Sequence, residues 1–170
     1  PIIPTDERRN LFLFSDKFIT MELVLIAQSK RVDIKSLKDL SGKTLGAGKG
    51  WASTDYLKEQ YKDIKIIEYD TTKEMLEAIA FGLIDAGIDD RFTANYSISK
   101  EMLSNLHIVT QVELEKLADK NLYIVFQKEN RVLQSLFNKA LKSVSKDELN
   151  TLNAKWQSEM RQKNDTLSFT

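Results

Sequence analysis

The chain contains no cysteine, which removes disulfide frameworks, thiolate zinc sites and cysteine nucleophiles together. Histidine is nearly absent too. His107 stands alone beside an apolar segment, so a histidine-built metal centre or catalytic triad lacks its partners, and a structural histidine is the simpler reading. Net charge is missing as well: 25 basic and 25 acidic residues cancel, leaving no long-range field to draw in nucleic acid or an anionic membrane surface. The apolar runs, such as residues 11–14 and 23–27, fall far short of the roughly 20 residues that a bilayer span needs. No internal repeat or low-complexity tract is visible, and 170 residues suffice for one ordinary domain or two small lobes. Pro1 and Ile2 open the chain without an initiator methionine or a signal-peptide pattern, which leads us to expect sequence upstream.

What is present alternates. Residues 18–28 read as extended, with a continuous apolar run at Leu23, Val24, Leu25 and Ile26 suited to a buried strand. Ile34, Leu37 and Leu40 suit one or two helical turns, stopped by Ser41 and Gly42. The pattern then predicts a strand over 43–47, a tight turn at 48–50, a helix over 52–61 and a strand over 64–69. Thr71 and Glu74 have capping-box spacing ahead of a helix carrying Met75, Leu76, Ile79 and Ala80 and ending at Gly82. A buried strand over 83–88, a helix over 92–103 and a strand over 106–109 follow. This βαβ alternation predicts a largely parallel sheet with helices on both faces and a ligand edge beyond the strands' carboxyl ends, where the loops at 48–53 and 89–92 fall. A further buried strand is expected over 122–126. A helix follows with its stripe from Val132 to Val144, then a last helix capped by Ser145 and Glu148 and carrying Trp156. Beyond Trp156 a polar tail or linker is expected.

Several motifs invite chemistry that their surroundings do not support. Gly42-Lys43-Thr44 resembles the end of a phosphate loop but precedes a strand instead of following one. The run from Gly46 to Gly50 follows a strand and enters a helix, as a dinucleotide loop does, yet Trp51 stands where the third glycine belongs. The same loop serves equally as a plain turn or as a set of amide donors for an anion. Asp85, Asp89 and Asp90 lack the glycine pattern of a calcium loop. Asn95-Tyr96-Ser97 and Asn164-Asp165-Thr166 match glycosylation acceptors, a pattern common by chance. Paired carboxylates are present, but no spacing demands catalysis. The residues call for no cofactor and no metal.

Taken in order, the segments resemble family 3 of the bacterial extracellular solute-binding proteins, which have the periplasmic-binding-protein type II or Venus-flytrap fold. Residues 5–8 (TDER) with 13–18 (LFSDKF) resemble the family's run from lobe 1 into the first hinge strand. Residues 34–50 (IKSLKDLSGKTLGAGKG) resemble its approach to lobe 2, and 74–90 (EMLEAIAFGLIDAGIDD) its glycine and Asp-Ala signature. Residues 122–156 resemble its return to lobe 1. The resemblance implies an α/β fold holding a complete lobe 2 and part of lobe 1. It divides the chain into 1–29 (end of lobe 1 and first hinge strand), 30–110 (lobe 2), 111–157 (return hinge and last lobe 1 helices) and 158–170 (polar tail). The first part of lobe 1 is expected upstream of Pro1.

The same resemblance implies a binding module, not an enzyme: an extracytoplasmic, bacterial domain that closes on a small amino-acid-like solute, with no nucleic-acid partner. It makes Arg8 the grip on a ligand α-carboxylate, a role suited to a planar bidentate donor. Asp90 is then the acceptor for the ligand ammonium, and Trp51, Ala52 and Ser53 are contacts at the opening of the lobe 2 helix. The plain alternatives are a surface charge or internal ion pair for Arg8 and a helix N-cap for Asp90. Ile3 and the pair Trp51-Ala52 stand where the family commonly carries hydroxyl residues, which departs from an ordinary amino-acid clamp. The ending resembles sensor domains fused to histidine kinases or diguanylate cyclases, which would be membrane-attached through a fused anchor and homodimeric. A stand-alone importer component is the second reading and a dehydratase-like enzyme the third.

Overall fold

The structure, a computed structural model, describes residues 2–114, 121–145, 147–149, 151, 152 and 155. In chain order its elements are α1 (Asp6–Leu11), β1 (Phe12–Phe14), β2 (Ile19–Thr20), β3 (Leu23–Gln28), a 3-10 turn at Leu37–Leu40, β4 (Thr44–Gly48), α2 (Ala52–Gln60), β5 (Lys65–Tyr69), α3 (Thr72–Ala80), β6 (Ala86–Asp90), α4 (Arg91–Lys100), β7 (Leu106–Gln111), β8 (Asn121–Leu122), β9 (Val125–Gln127) and α5 (Arg131–Ser143). They fall into two units, one spanning Met21–Ala118 and the other formed from the two ends of the chain.

In the Met21–Ala118 unit five strands pair in the order β5-β4-β6-β3-β7. β4 is parallel to both β5 and β6, while β3 is antiparallel to both β6 and β7. Four strands therefore run one way and β3 alone opposes them, which makes the sheet mixed but parallel-rich. The two-residue period of β3 places Leu23, Leu25 and Ala27 in one apolar cluster and Val24 and Ile26 in another. The first cluster takes Leu57 of α2 with Leu37 and Leu40 of the 3-10 turn; the second takes Met75, Leu76 and Ile79 of α3 with Ala94 of α4. Helices thus cover both faces, and every residue of β3 is buried.

Unit boundaries differ from the sequence divisions at one strand. The predicted break between 29 and 30 leaves β3 with the leading segment, but its ladders to β6 and β7 place it inside the Met21–Ala118 sheet. A run buried on both faces needs neighbours on both edges, and these lie more than 50 residues downstream. The next strand also starts later than its apolar pattern suggests: Leu83 is 74% exposed and β6 begins at Ala86. Leu83 instead follows the end of α3, where Gly82 takes φ 73° and Leu83 donates its amide to the Ala78 carbonyl at 2.8 Å, a helix stop that glycine permits at no steric cost.

Gly46 and Gly87 are cross-strand partners on the α3 face. A Cβ on Gly87 would come 2.7 Å from Ile79 Cδ1 and 3.0 Å from Met75 Sδ, and one on Gly46 would meet Met75 and Ile84 at 2.7 Å. The paired glycines are what allow α3 to sit down on the sheet. Gly87→Val is expected to lose about 2 to 3 kcal/mol by overpacking; a urea midpoint equal to wild type would refute that.

The chain-end unit is built from shorter pieces. α1, which the apolar pattern did not predict, is opened by Thr5, whose hydroxyl accepts the Arg8 amide; Asp6 and Glu7 occupy its first turn. β1 pairs antiparallel with β9, and β2 with β8. The single strand expected over 122–126 is therefore two short, half-buried strands with different partners, separated at Tyr123, which bridges Ile2. α5 packs on β1 and β9, with Phe137 edge-on to Phe126 at 5.7 Å. Its side-chain amides tie it down: Gln134 donates to the Phe14 carbonyl, and Asn138 accepts the Asp16 amide at 2.8 Å. Val132, Leu133 and Leu136 from the predicted stripe are exposed. Ser145 and Glu148 form the expected reciprocal cap, whereas Trp156, the tail and Asn164 lie outside the described residues.

Candidate functional site

The parallel strands β4, β5 and β6 end together at Gly48, Tyr69 and Asp90, and each leads directly into a helix, so the N-termini of α2, α3 and α4 share one edge of the Met21–Ala118 unit. Aligned peptide dipoles make such an edge electropositive and rich in amide donors. Two of the three helices are capped by their own side chains. The Thr71 hydroxyl accepts the Glu74 amide, the first arm of the predicted capping box. Asp90 Oδ1 accepts the amides of Phe92 at 3.0 Å and Thr93 at 3.4 Å. At α2 the cap position is Trp51, which offers no side-chain hydrogen bond.

Trp51 is 38% exposed, and its indole lies over Gly48, so closely that a Cβ at position 48 would overlap the ring. Thr54 fixes the loop from beneath, donating to the Gly48 carbonyl at 2.7 Å while fully buried. Ala52 is half-buried and Ser53 is 2% exposed, so what α2 offers the edge from these two positions is backbone more than side chain. Lys49, in the same loop, is held by Asp70 at 3.1 Å, and that partner raises its pKa.

Asp90 and Asp89 divide the work of adjacent strand positions. Asp90 is partly exposed; besides capping α4, it accepts the Glu22 amide through Oδ2 at 3.2 Å. The helix-cap reading of Asp90 is therefore realised in the geometry, though a carboxylate keeps acceptor capacity beyond three hydrogen bonds. Asp89 points to the opposite face, toward α3, and is 1% exposed. It accepts the Thr72 hydroxyl and the Asp90 amide, both at 2.6 Å. Burial pushes its pKa up to about 6, because these two hydrogen bonds do not offset the loss of water and Asp90 adds like charge. Neither Asp89's burial nor its pairing with Thr72 is marked by a motif; the signal was the two-residue strand period, which sends one of two consecutive aspartates inward.

Asp85, the aspartate of the Asp-Ala signature, lies at the opposite end of β6 and serves the fold. It accepts the Thr44 amide at 2.8 Å, the Thr44 hydroxyl at 2.7 Å and the Arg31 guanidinium at 2.7 Å. Arg8 belongs to the chain-end unit, where it is half-buried on α1 and donates to the Ile3 carbonyl at 2.9 Å. Trp51, Ala52, Ser53 and Asp90 are thus brought to one edge of one unit, and Arg8 stands in the other.

A mixed, parallel-rich sheet covered on both faces, with helix N-termini converging on its carboxyl edge, is the arrangement of a lobe of the Venus-flytrap fold, and solved structures of that fold superpose on this chain. The chain belongs to the bacterial extracellular solute-binding proteins, family 3, whose model matches residues 1–159. Members of that family bind solutes outside the bacterial cytoplasm. The crystal structure of the Bordetella pertussis BvgS periplasmic VFT2 domain matches with TM-score 0.79 at 22% identity, covering 90% of this chain and 64% of that one. An L-arginine-bound amino acid ABC transporter substrate-binding protein, AbpA from Streptococcus pneumoniae, matches with TM-score 0.77 at 22% identity, covering 89% and 63%. In sequence, the arginine-binding extracellular protein ArtP of Bacillus subtilis is 30% identical over 90% of this chain and 59% of its own length. The virulence sensor protein BvgS of Bordetella pertussis is 23% identical over 88% of this chain, which spans only 12% of BvgS.

Proposed function

We propose that this chain supplies the larger part of an extracytoplasmic domain that closes on an amino-acid-like solute. The observation that carries the reading is the edge at α2. There a helix N-terminus without a side-chain cap, flanked by an exposed indole, follows β4, and the carboxylate of Asp90 ends the neighbouring strand β6, so that amide donors and a cation acceptor share one sheet edge. A zwitterion's carboxylate would satisfy the amides of Ala52 and Ser53 and its ammonium would go to Asp90, with Arg8 as the family-type bidentate grip on a ligand carboxylate. Ligand contacts made only in the closed state shift the population toward closure, which is the output. Membership of a solute-binding family supports a role without catalysis in this domain.

Similarity to the virulence sensor protein BvgS supports the sensor-domain reading, in which a fused anchor, a fused effector domain and a homodimer belong to the proposal. Similarity to amino-acid-binding proteins, one of them named as an ABC transporter-binding protein, supports an importer component equally. A downstream apolar span of about 20 residues in the full-length gene would mark the sensor, and an early stop the importer.

Isothermal titration of the intact domain, with ligand first identified by mass spectrometry of the small molecules it retains, tests the clamp. Arg8→Ala is expected to weaken binding by about 100-fold and Asp90→Asn by at least about tenfold, since asparagine keeps the helix cap but removes the charge. Unchanged affinity in both variants would sink the assignment.

A further inference from the structure

The carboxylate of Asp89 has no role in the zwitterion clamp, yet it is the most deeply buried charged side chain among the described residues. It borders a cavity of about 20 Å³ also lined by Trp51, Tyr69, Thr72 and Met75. That volume holds a single water-sized group. The lining brings two aromatic residues and a thioether to the Asp89 carboxylate, whose two hydrogen bonds leave acceptor sites over, and is completed by Gly48, Asp70 and Thr71. Titratable neighbours from each surrounding segment give it no cation. Lys49, from the loop after β4, is engaged by Asp70 in the loop after β5; Tyr69 ends β5; and Asp90, next along β6, adds negative charge. α3 contributes only Thr72 and Met75.

We propose that this cavity is a subsite for a primary alkylammonium group, so that the solute carries a second amine in addition to its zwitterion, as in a diamino acid. The inference rests on the preceding reading only for the rest of the ligand. A carboxylate flanked by aromatic rings is the combination that favours an organic cation. Room for one water-sized group suits a compact ammonium better than a planar guanidinium. With the ammonium in place Asp89 is held ionised, so binding releases a proton below about pH 6 and tightens as pH rises through that value.

Two measurements on the intact chain test this. The Asp89 carboxyl resonance, followed by 13C NMR through a pH titration, is expected to show its midpoint lowered by about half a unit or more in methylammonium chloride relative to sodium chloride at equal ionic strength. Equal midpoints in the two salts overturn the subsite. Calorimetry is then expected to give L-lysine at least about a tenfold advantage over its uncharged analogue L-norleucine at pH 7.5, lost in Asp89→Asn. If both amino acids bind alike and the midpoint does not move, the subsite falls and the zwitterion clamp stands. If methylammonium moves the midpoint while neither amino acid binds, the subsite stands and the clamp falls.

Discussion

Asp89→Asn is expected to raise the stability of this protein at pH 7.5 by about 2 kcal/mol and to flatten its dependence on pH between about 4 and 6. The folded protein holds this carboxyl with a pKa of about 6, against an ordinary value of 3.8. Between those two values the native state binds more protons than the unfolded chain. Stability contributed by the neutral acid is therefore complete below about pH 4 and is lost as pH rises through 6. Asparagine reproduces the neutral form: its carbonyl accepts the Asp90 amide, and its amide reaches the Thr72 hydroxyl, which then accepts instead of donating. Urea unfolding from pH 4 to 8 measures the effect. A variant whose curve parallels wild type across that range would show that the buried carboxylate does not titrate there.

The second large effect is expected at the other end of the same strand. Asp85→Ala removes the acceptor shared by the Thr44 amide, the Thr44 hydroxyl and Arg31 Nη1. Burial pushes the Asp85 carboxyl up, but the hydrogen bonds from the Thr44 amide, Arg31 and the Thr44 hydroxyl outweigh it, leaving the pKa below the ordinary carboxylate value. This group therefore adds stability above the unfolded pKa and withdraws it as pH falls through its own lower value, the opposite sign to Asp89. Truncation leaves the first amide of β4 without an acceptor and strips Arg31 of one partner, while Asp33 still holds its guanidinium at 2.9 Å. A loss of about 3 kcal/mol is expected, and Asp85→Asn should lose about half of that because its carbonyl still accepts from Thr44. The side chain is 28% exposed, so these values sit below those of a fully buried pair. A loss under about 1 kcal/mol in the alanine variant would mean that water replaces the carboxylate at that end of the sheet.

How far the sequence could be read depended on the range of the interactions involved. α2 and α3 are set by local signals, the Thr71 cap and the Gly82 stop among them, and their positions agree with the predicted ones within a residue or two. α1 was missed although Thr5, Asp6 and Glu7 are good helix-opening residues, because its six residues carry too few apolar positions to display a period. Leu83 misled the start of β6 because an exposed leucine after a helix stop has the same letter as a buried one. At the edge, the sequence named Trp51, Ala52, Ser53 and Asp90 from motif order. It had no means of sending the Ser53 hydroxyl inward or of placing the indole over Gly48.

The sequence alone determined the alternation of strands and helices, the caps that start and stop most of them, the lack of any cysteine, and the family. Those features are encoded by residues within a few positions of one another, where propensity, periodicity and side-chain capping act. Only the tertiary structure decided that β3 runs against the other four strands of its sheet, that Arg31 meets Asp85 across 54 residues, and that Asp89 is buried beneath α3. These depend on which distant segments share a sheet, and pairing energy between strands is set by burial on both faces, which no local pattern records.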